Sequence, residues 1–295
     1  MTMRRGLKLL VALAAVLPLL WMSSCSRPKE TAAAADPLAA GWNDYRMGEF
    51  DRGVARFEAA LAANPPGSEE QLQALYGLGT IWNLRRPGED PEKARRYFRQ
   101  VVDTSPKHDL AAWSLLALAR MKHLVPVGSD PDYPEVYKAY QQVVDRYPDH
   151  LAGKEAFIYL QAALISTLKD VETRKAVAAL EKFVQGSSKE FVGSAWSLLA
   201  VSYATLNLPE KRLEAEIKSL ETTEVDPTNP FTEFAWAYWN IATIAEFEVG
   251  DFDLARTYYK KLIDEYPTDI RVYGAKKALK RMDELEERIR AEATR

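Results

Sequence analysis

Ala255-Arg256-Thr257-Tyr258-Tyr259-Lys260-Lys261-Leu262-Ile263-Asp264-Glu265-Tyr266-Pro267 is the stretch that decides the fold. It holds a small residue, an aromatic four on, an apolar residue seven on and a proline twelve on: Ala255, Tyr259, Leu262 and Pro267. The spacing returns at Gly53–Phe57–Ala60–Pro65, Ala94–Phe98–Val101–Pro106 and Val136–Tyr140–Val143–Pro148. Offsets of zero, four and seven lie on one face of a helix with about 3.6 residues per turn. The small residue lets a neighbouring helix come close, and the larger two fill the space between. Proline cannot continue the helix and biases the residue before it to extended geometry. A pattern that recurs at a fixed period marks units that bury their apolar faces against one another in a stack.

The spacing between closings sets the number of units. Pro65 to Pro106 is 41 residues, Pro106 to Pro148 is 42, and Pro148 to Pro267 is 119, or three units of about 40. Six helical pairs therefore fit. The chain has 295 residues, 47% of them hydrophobic, and no strand-like alternation of Val, Ile and Thr. The expected class is all-α.

The N-terminus reads as an export signal. Arg4, Arg5 and Lys8 precede an apolar run from Leu9 to Leu20, which is too short to span a bilayer. Met22-Ser23-Ser24-Cys25 follows and resembles the lipobox of bacterial lipoproteins. The resemblance implies a signal peptide over 1–24, acylation of Cys25 and a polar, Ala-rich tether over 25–36. Ser26, in place of Asp, then implies sorting to the outer membrane. The alternative is a soluble export signal with an incidental cysteine. Cys25 is the only cysteine, so no disulfide is expected. Without the signal, 36 basic residues face 42 acidic ones, which argues against a nucleic-acid partner.

Gly41, Gly48, Phe50, Gly53, Phe57, Ala60, Leu61 and Pro65 complete the first unit. These spacings resemble the tetratricopeptide repeat, a helix–turn–helix of about 34 residues. The resemblance implies a right-handed α-solenoid of about six such pairs over 37–268, with the helix over 269–295 as a cap. That helix is amphipathic and heavily charged; the other reading of it is a docking surface. Gly48 is expected at the turn between helices, where a left-handed residue is needed. The turns around Arg86-Pro87-Gly88 and Val125–Pro131 are longer than the consensus. The pattern frays between Val171 and Glu224, where Ser188 replaces the proline and Arg212 the small residue. There the stack is expected to be least regular.

Chemistry is not expected, and no catalytic residue, metal site or cofactor is assigned. His108, His123 and His150 have no metal-ligating spacing, and no phosphate-binding or nucleophile motif occurs. Glu246 and Glu248 would matter only if they met another acid in a closed cleft.

By resemblance, the first helix of each pair lines a concave groove. Carried over position by position, the partner-binding set is Tyr76, Thr80, Asn83, Ser114, Met121, Ser197, Trp236, Asn240 and Phe247, with Gln73, Leu118, Lys122, Val201, Thr205, Ile244 and Glu248 beside them. This lining suits an extended or helical peptide segment. Trp236, if exposed, is the expected anchor. The Tyr-Pro closings at Tyr147-Pro148 and Tyr266-Pro267 resemble envelope lipoproteins of the BamD and YbgF (CpoB) type. The resemblance implies a lipid-anchored, periplasm-facing scaffold that binds an envelope protein, with outer-membrane protein assembly as one role. A secretin pilotin and an accessory lipoprotein of a TRAP-type transporter are the alternatives.

Overall fold

The computed structural model describes residues 36–83, 88–186, 188–223 and 234–294. The export signal, Cys25 and all of the tether but Asp36 lie outside the described residues, as do Arg86 and Pro87.

Helices follow one another in pairs: α1 (Pro37–Arg46) with α2 (Phe50–Ala63), α3 (Glu69–Trp82) with α4 (Pro91–Thr104), and α5 (Asp109–His123) with α6 (Tyr133–Arg146). Then come α7 (Leu151–Ser166) with α8 (Asp170–Val184) and α9 (Val192–Thr205) with α10 (Pro209–Thr222). The sixth pair is α11 (Ala235–Ile244), prolonged by a π-helical turn at Ala245–Val249, with α12 (Phe252–Glu265). A single long helix, α13 (Val272–Ala293), closes the stack against α12. Among the described residues there is no strand. Six pairs are what the proline spacing predicts, and the closing helix stands where the cap was expected.

The recurring face is the core. Phe57, Ala60, Ala94, Phe98, Val101, Val136, Tyr140, Val143, Ala255, Tyr259 and Leu262 are each at most 2% exposed. Burying an apolar side chain of this size stabilises by roughly 1.5–3 kcal/mol. Phe57 shows why the smallest residues recur. A Cβ at Gly41 would come 2.9 Å from its ring, and one at Gly77, on the next first helix, 2.6 Å. The ring thus lies between two glycines and ties the first pair to the second. Trp239 meets Gly274 of α13 in the same way, at 2.8 Å for an added Cβ.

Side chains define where helices begin. Asp36, Ser68, Asp90, Asp132 and Asp251 each accept a backbone N–H of the first turn. His108 and His150 do the same for α5 and α7 through Nδ1.

The row of contacts defines the shape. α1 touches α3, α3 touches α5, α5 touches α7 and α7 touches α9, whereas each second helix packs on the first helix of its own pair and of the next. First helices in mutual contact form the inner side of a curved stack. The series stops at α9: α11 packs on α10 and makes no comparable contact with α9.

The frayed stretch is helical all the same. Ala176 and Leu180 are fully buried, so the fourth pair packs as the others do. The irregularity lies instead in its turns and at the junction of the fifth and sixth pairs. Gly48 and Gly250 supply the left-handed residue between helices in the first and sixth pairs, at φ 75° and 81°. The fourth and fifth have Leu168 at φ 54° and Asn207 at φ 55°.

Candidate partner-binding surfaces

The inner row of first helices carries the expected groove, but its residues do not share one environment. Tyr76 is half-buried between the rings of Trp42, 6.3 Å away, and Phe98, 5.8 Å away, and so joins the first two pairs. Thr80 donates its hydroxyl to the Tyr76 carbonyl at 2.9 Å. Asn83 is exposed at the end of α3, and Met121 is half-buried. Ser197 is exposed, with its Oγ 2.7 Å from that of Ser219 on α10.

Four expected positions fall elsewhere. Ser114 is 0% exposed and its hydroxyl is without a partner, so it faces protein interior and not a groove. Ile244 is likewise buried. Leu118 and Lys122 line a cleft that opens between α4 and α6, on the side of the second helices. The physical reason is rotation. α5 turns Trp113 and Arg120 toward α7, where Arg120 bonds Glu155 and Tyr159, and this swings Leu118 and Lys122 away from the inner side.

The sixth pair gathers the set best. Trp236, Asn240 and Phe247 lie along one face of α11 and its π-helical turn. Trp236 is 61% exposed and Phe247 66%. Each carries a guanidinium over its ring: Arg271 at 5.4 Å from the Trp236 centroid, Arg281 at 5.1 Å from that of Phe247. The π-helical turn makes this possible. It points Glu246 inward, where the carboxylate accepts from the Tyr259 hydroxyl at 2.9 Å and from Arg281 Nε at 2.9 Å. Phe247 is left facing out.

Beside this face runs a polar seam. Arg212, at the position where small residues recur, bonds Glu248 of the π-helical turn at 2.6 Å. Glu216, one turn further along α10, is hydrogen-bonded by Asn240; burial raises its carboxyl above the usual range, with Glu248 adding to the rise. Glu248 does therefore approach a second acid, but Arg212 favours the ionised form of Glu216 and pairs with Glu248. Glu246 meets a tyrosine and an arginine. Among the described residues no three of His, Cys, Asp and Glu are grouped to hold a metal ion. No described helix is long and apolar enough to cross a membrane.

Sequence reasoning missed the cleft between α4 and α6. Its volume is about 360 Å3, and it is lined by Arg95, Arg99, Val102, Asp103, Leu115, Leu118, Ala119, Lys122, Ala139, Gln142 and Arg146. The signal was present as basic residues at helical spacing in α4, but only the packing of α4 and α6 on either side of α5 gives it depth.

Comparison with known proteins agrees with the repeat architecture. Residues 38–87 and 235–269 match models of the tetratricopeptide repeat. The first pair and the sixth are thus tetratricopeptide repeats, a class that serves as protein–protein interaction scaffold. No curated protein matches the chain. Two similar solved structures are MamA from residue 41 to its end, from Desulfovibrio magneticus RS-1, and the TPR domain of P58(IPK). The first has a TM-score of 0.44 and 19% identity, covering 67% of this chain and 97% of that one. The second has a TM-score of 0.33 and 17% identity, covering 85% and 65%.

Proposed function

We propose that this tetratricopeptide-repeat protein is a lipid-anchored scaffold of the bacterial envelope, holding a segment of a partner protein along its inner row of helices. The observation that carries the reading is the exposed pair Trp236 and Phe247 on one face of the sixth first helix. Large aromatics left in water on a repeat stack are the side chains that anchor a partner. Arg271 and Arg281 over the rings are paired with Asp269 and Glu246, so the segment best accommodated is apolar.

The anchor rests on the sequence. A basic start, an apolar run and Met22-Ser23-Ser24-Cys25 favour acylation of Cys25, and two or more lipid chains on one residue give stable membrane attachment. The resulting position is the periplasmic side of the outer membrane, and outer-membrane protein assembly is the process that such a scaffold would serve. No catalytic role is assigned.

Fractionation of cells making wild type or Cys25→Ala tests both parts. The reading expects wild type in the outer-membrane fraction with a co-purifying envelope protein, and Cys25→Ala in the soluble periplasm. Wild type in the soluble fraction contradicts the anchor. Membrane-bound wild type that crosslinks to nothing contradicts the scaffold.

A further inference from the structure

We infer that the cleft between α4 and α6 is a second docking site, for an acidic peptide segment bearing an apolar side chain. Charge is the first argument. The whole chain has a formal net charge of −3, yet Arg95, Arg99, Lys122 and Arg146 line this cleft against a single carboxylate, Asp103. Arg95 is paired with Glu92, and Lys122 with Glu135 at 2.8 Å. Among the described residues neither Arg99 nor Arg146 has a carboxylate partner; the Arg146 guanidinium lies 5.6 Å from its neighbour's ring, that of Tyr147. Two planar forks facing one cleft are suited to carboxylates, which they bind through paired N–H donors.

Shape is the second argument. The floor is apolar, with Leu118 accessible between the basic walls, so an apolar side chain has a place to be buried. A second concavity over α6, lined by Lys138, Gln141, Gln142, Asp145 and Arg146, shares Gln142 and Arg146 with it. At about 360 Å3 the cleft alone exceeds what a single ion fills. A flat bilayer does not reach a recessed floor. A nucleic-acid strand is disfavoured because no aromatic ring lines either concavity for a base to stack on. The walls of the site belong to the second helices α4 and α6 and its floor to α5, and it shares no residue with the aromatic face of the sixth pair.

A displayed library of random peptides, selected on the full chain, tests the assignment. The selection is run on wild type, on Arg99→Glu/Arg146→Glu and on Trp236→Ala, with an oligothymidine strand as competitor. Wild type is expected to enrich peptides with Asp or Glu on both sides of an apolar residue. Trp236→Ala should enrich the same class. The double reversal should lose it, with affinity for a synthetic copy of the best peptide falling roughly tenfold or more and the circular dichroism melt unchanged. Three results overturn the proposal: no acidic class enriched on wild type, enrichment that survives the double reversal, or displacement of the peptide by oligothymidine at equal concentration.

Discussion

His108 Nε2 lies 2.7 Å from Oε2 of Glu69, thirty-nine residues back and one repeat earlier. The arrangement repeats one pair on, where His150 Nε2 lies 2.7 Å from Oδ1 of Asp109. In both rings Nδ1 accepts a backbone N–H, from Leu110 at 3.1 Å and Ala152 at 3.0 Å. That acceptance places the proton of the neutral ring on Nε2, which donates it to the carboxylate. Each histidine thus caps its own helix and holds the first turn of the preceding first helix.

Replacing His108 or His150 with Ala should cost about 1 kcal/mol each, the usual loss for a cap. Asn in their place should restore the cap and not the reach to the carboxylate, and so recover only part of the loss. Urea midpoints of the four variants check this. Midpoints equal to wild type would mean that neither latch contributes.

Leu168 occupies a left-handed conformation that glycine takes in the first and sixth pairs. It is 74% exposed, so removing its side chain gives up little packing. A non-glycine residue in this region is strained by roughly 1–2 kcal/mol. Leu168→Gly should therefore stabilise by about 1 kcal/mol, read as a higher melting temperature. Asn207→Gly should gain less, because Asn tolerates the region.

Gly153 is a more severe case than the glycines that face rings. A Cβ there would collide with the backbone carbonyl of Tyr147, which closes the preceding pair. A backbone atom cannot swing away as a side chain can. Gly153→Ala should destabilise by about 3 kcal/mol or more, the upper part of the range for overpacking. Gly41→Ala, whose Cβ meets the Phe57 ring at 2.9 Å, should cost less. Denaturant unfolding of the two variants gives the comparison.

Two carboxylates give opposite pH signatures. Glu190 accepts from the Ser188 hydroxyl at 2.6 Å and from Lys154 at 3.0 Å, and these bonds lower its pKa to about 2. Its folded value is below the unfolded one, so its stabilisation is complete above the ordinary carboxylate range and is lost as pH falls toward about 2. Glu216 is raised by burial. Its ionised form therefore opposes folding, by a penalty that grows as pH rises from the ordinary carboxylate value to the raised one and is constant above it. Glu190→Gln should lower stability at pH 7 and converge with wild type in acid. Glu216→Gln should raise stability at pH 7 and also converge in acid. Unfolding midpoints from about pH 2 to pH 8 test both signs.

The parts of the fold legible in the sequence were those with a fixed local offset. Phe57, Phe98, Tyr140 and Tyr259 announce the core because one helix face carries the whole signal. The exposure of Trp236 was legible because its register on α11 follows from Trp239, which packs on Gly274. Features that depend on two separate repeats were not legible. The histidine latches join residues 39 and 41 apart, and the Arg212–Glu248 bridge joins residues 36 apart. Arg212 reads in isolation as a spoiled packing position; in the structure it bridges two pairs whose first helices do not touch. The rotation of α5 that buries Ser114 and turns Leu118 and Lys122 into a cleft follows from Arg120 reaching α7, a contact with no local trace.

The central claim is that a partner binds at the exposed aromatic face of the sixth pair. A photo-crosslinking amino acid placed at position 236, and in parallel at position 127 on an exposed loop, tests it in intact cells. The account predicts one dominant envelope-protein adduct from position 236, none from position 127, and loss of that adduct when Phe247 is also changed to Asp. Equal labelling from both positions, or a position-236 adduct unaffected by Phe247→Asp, would contradict it.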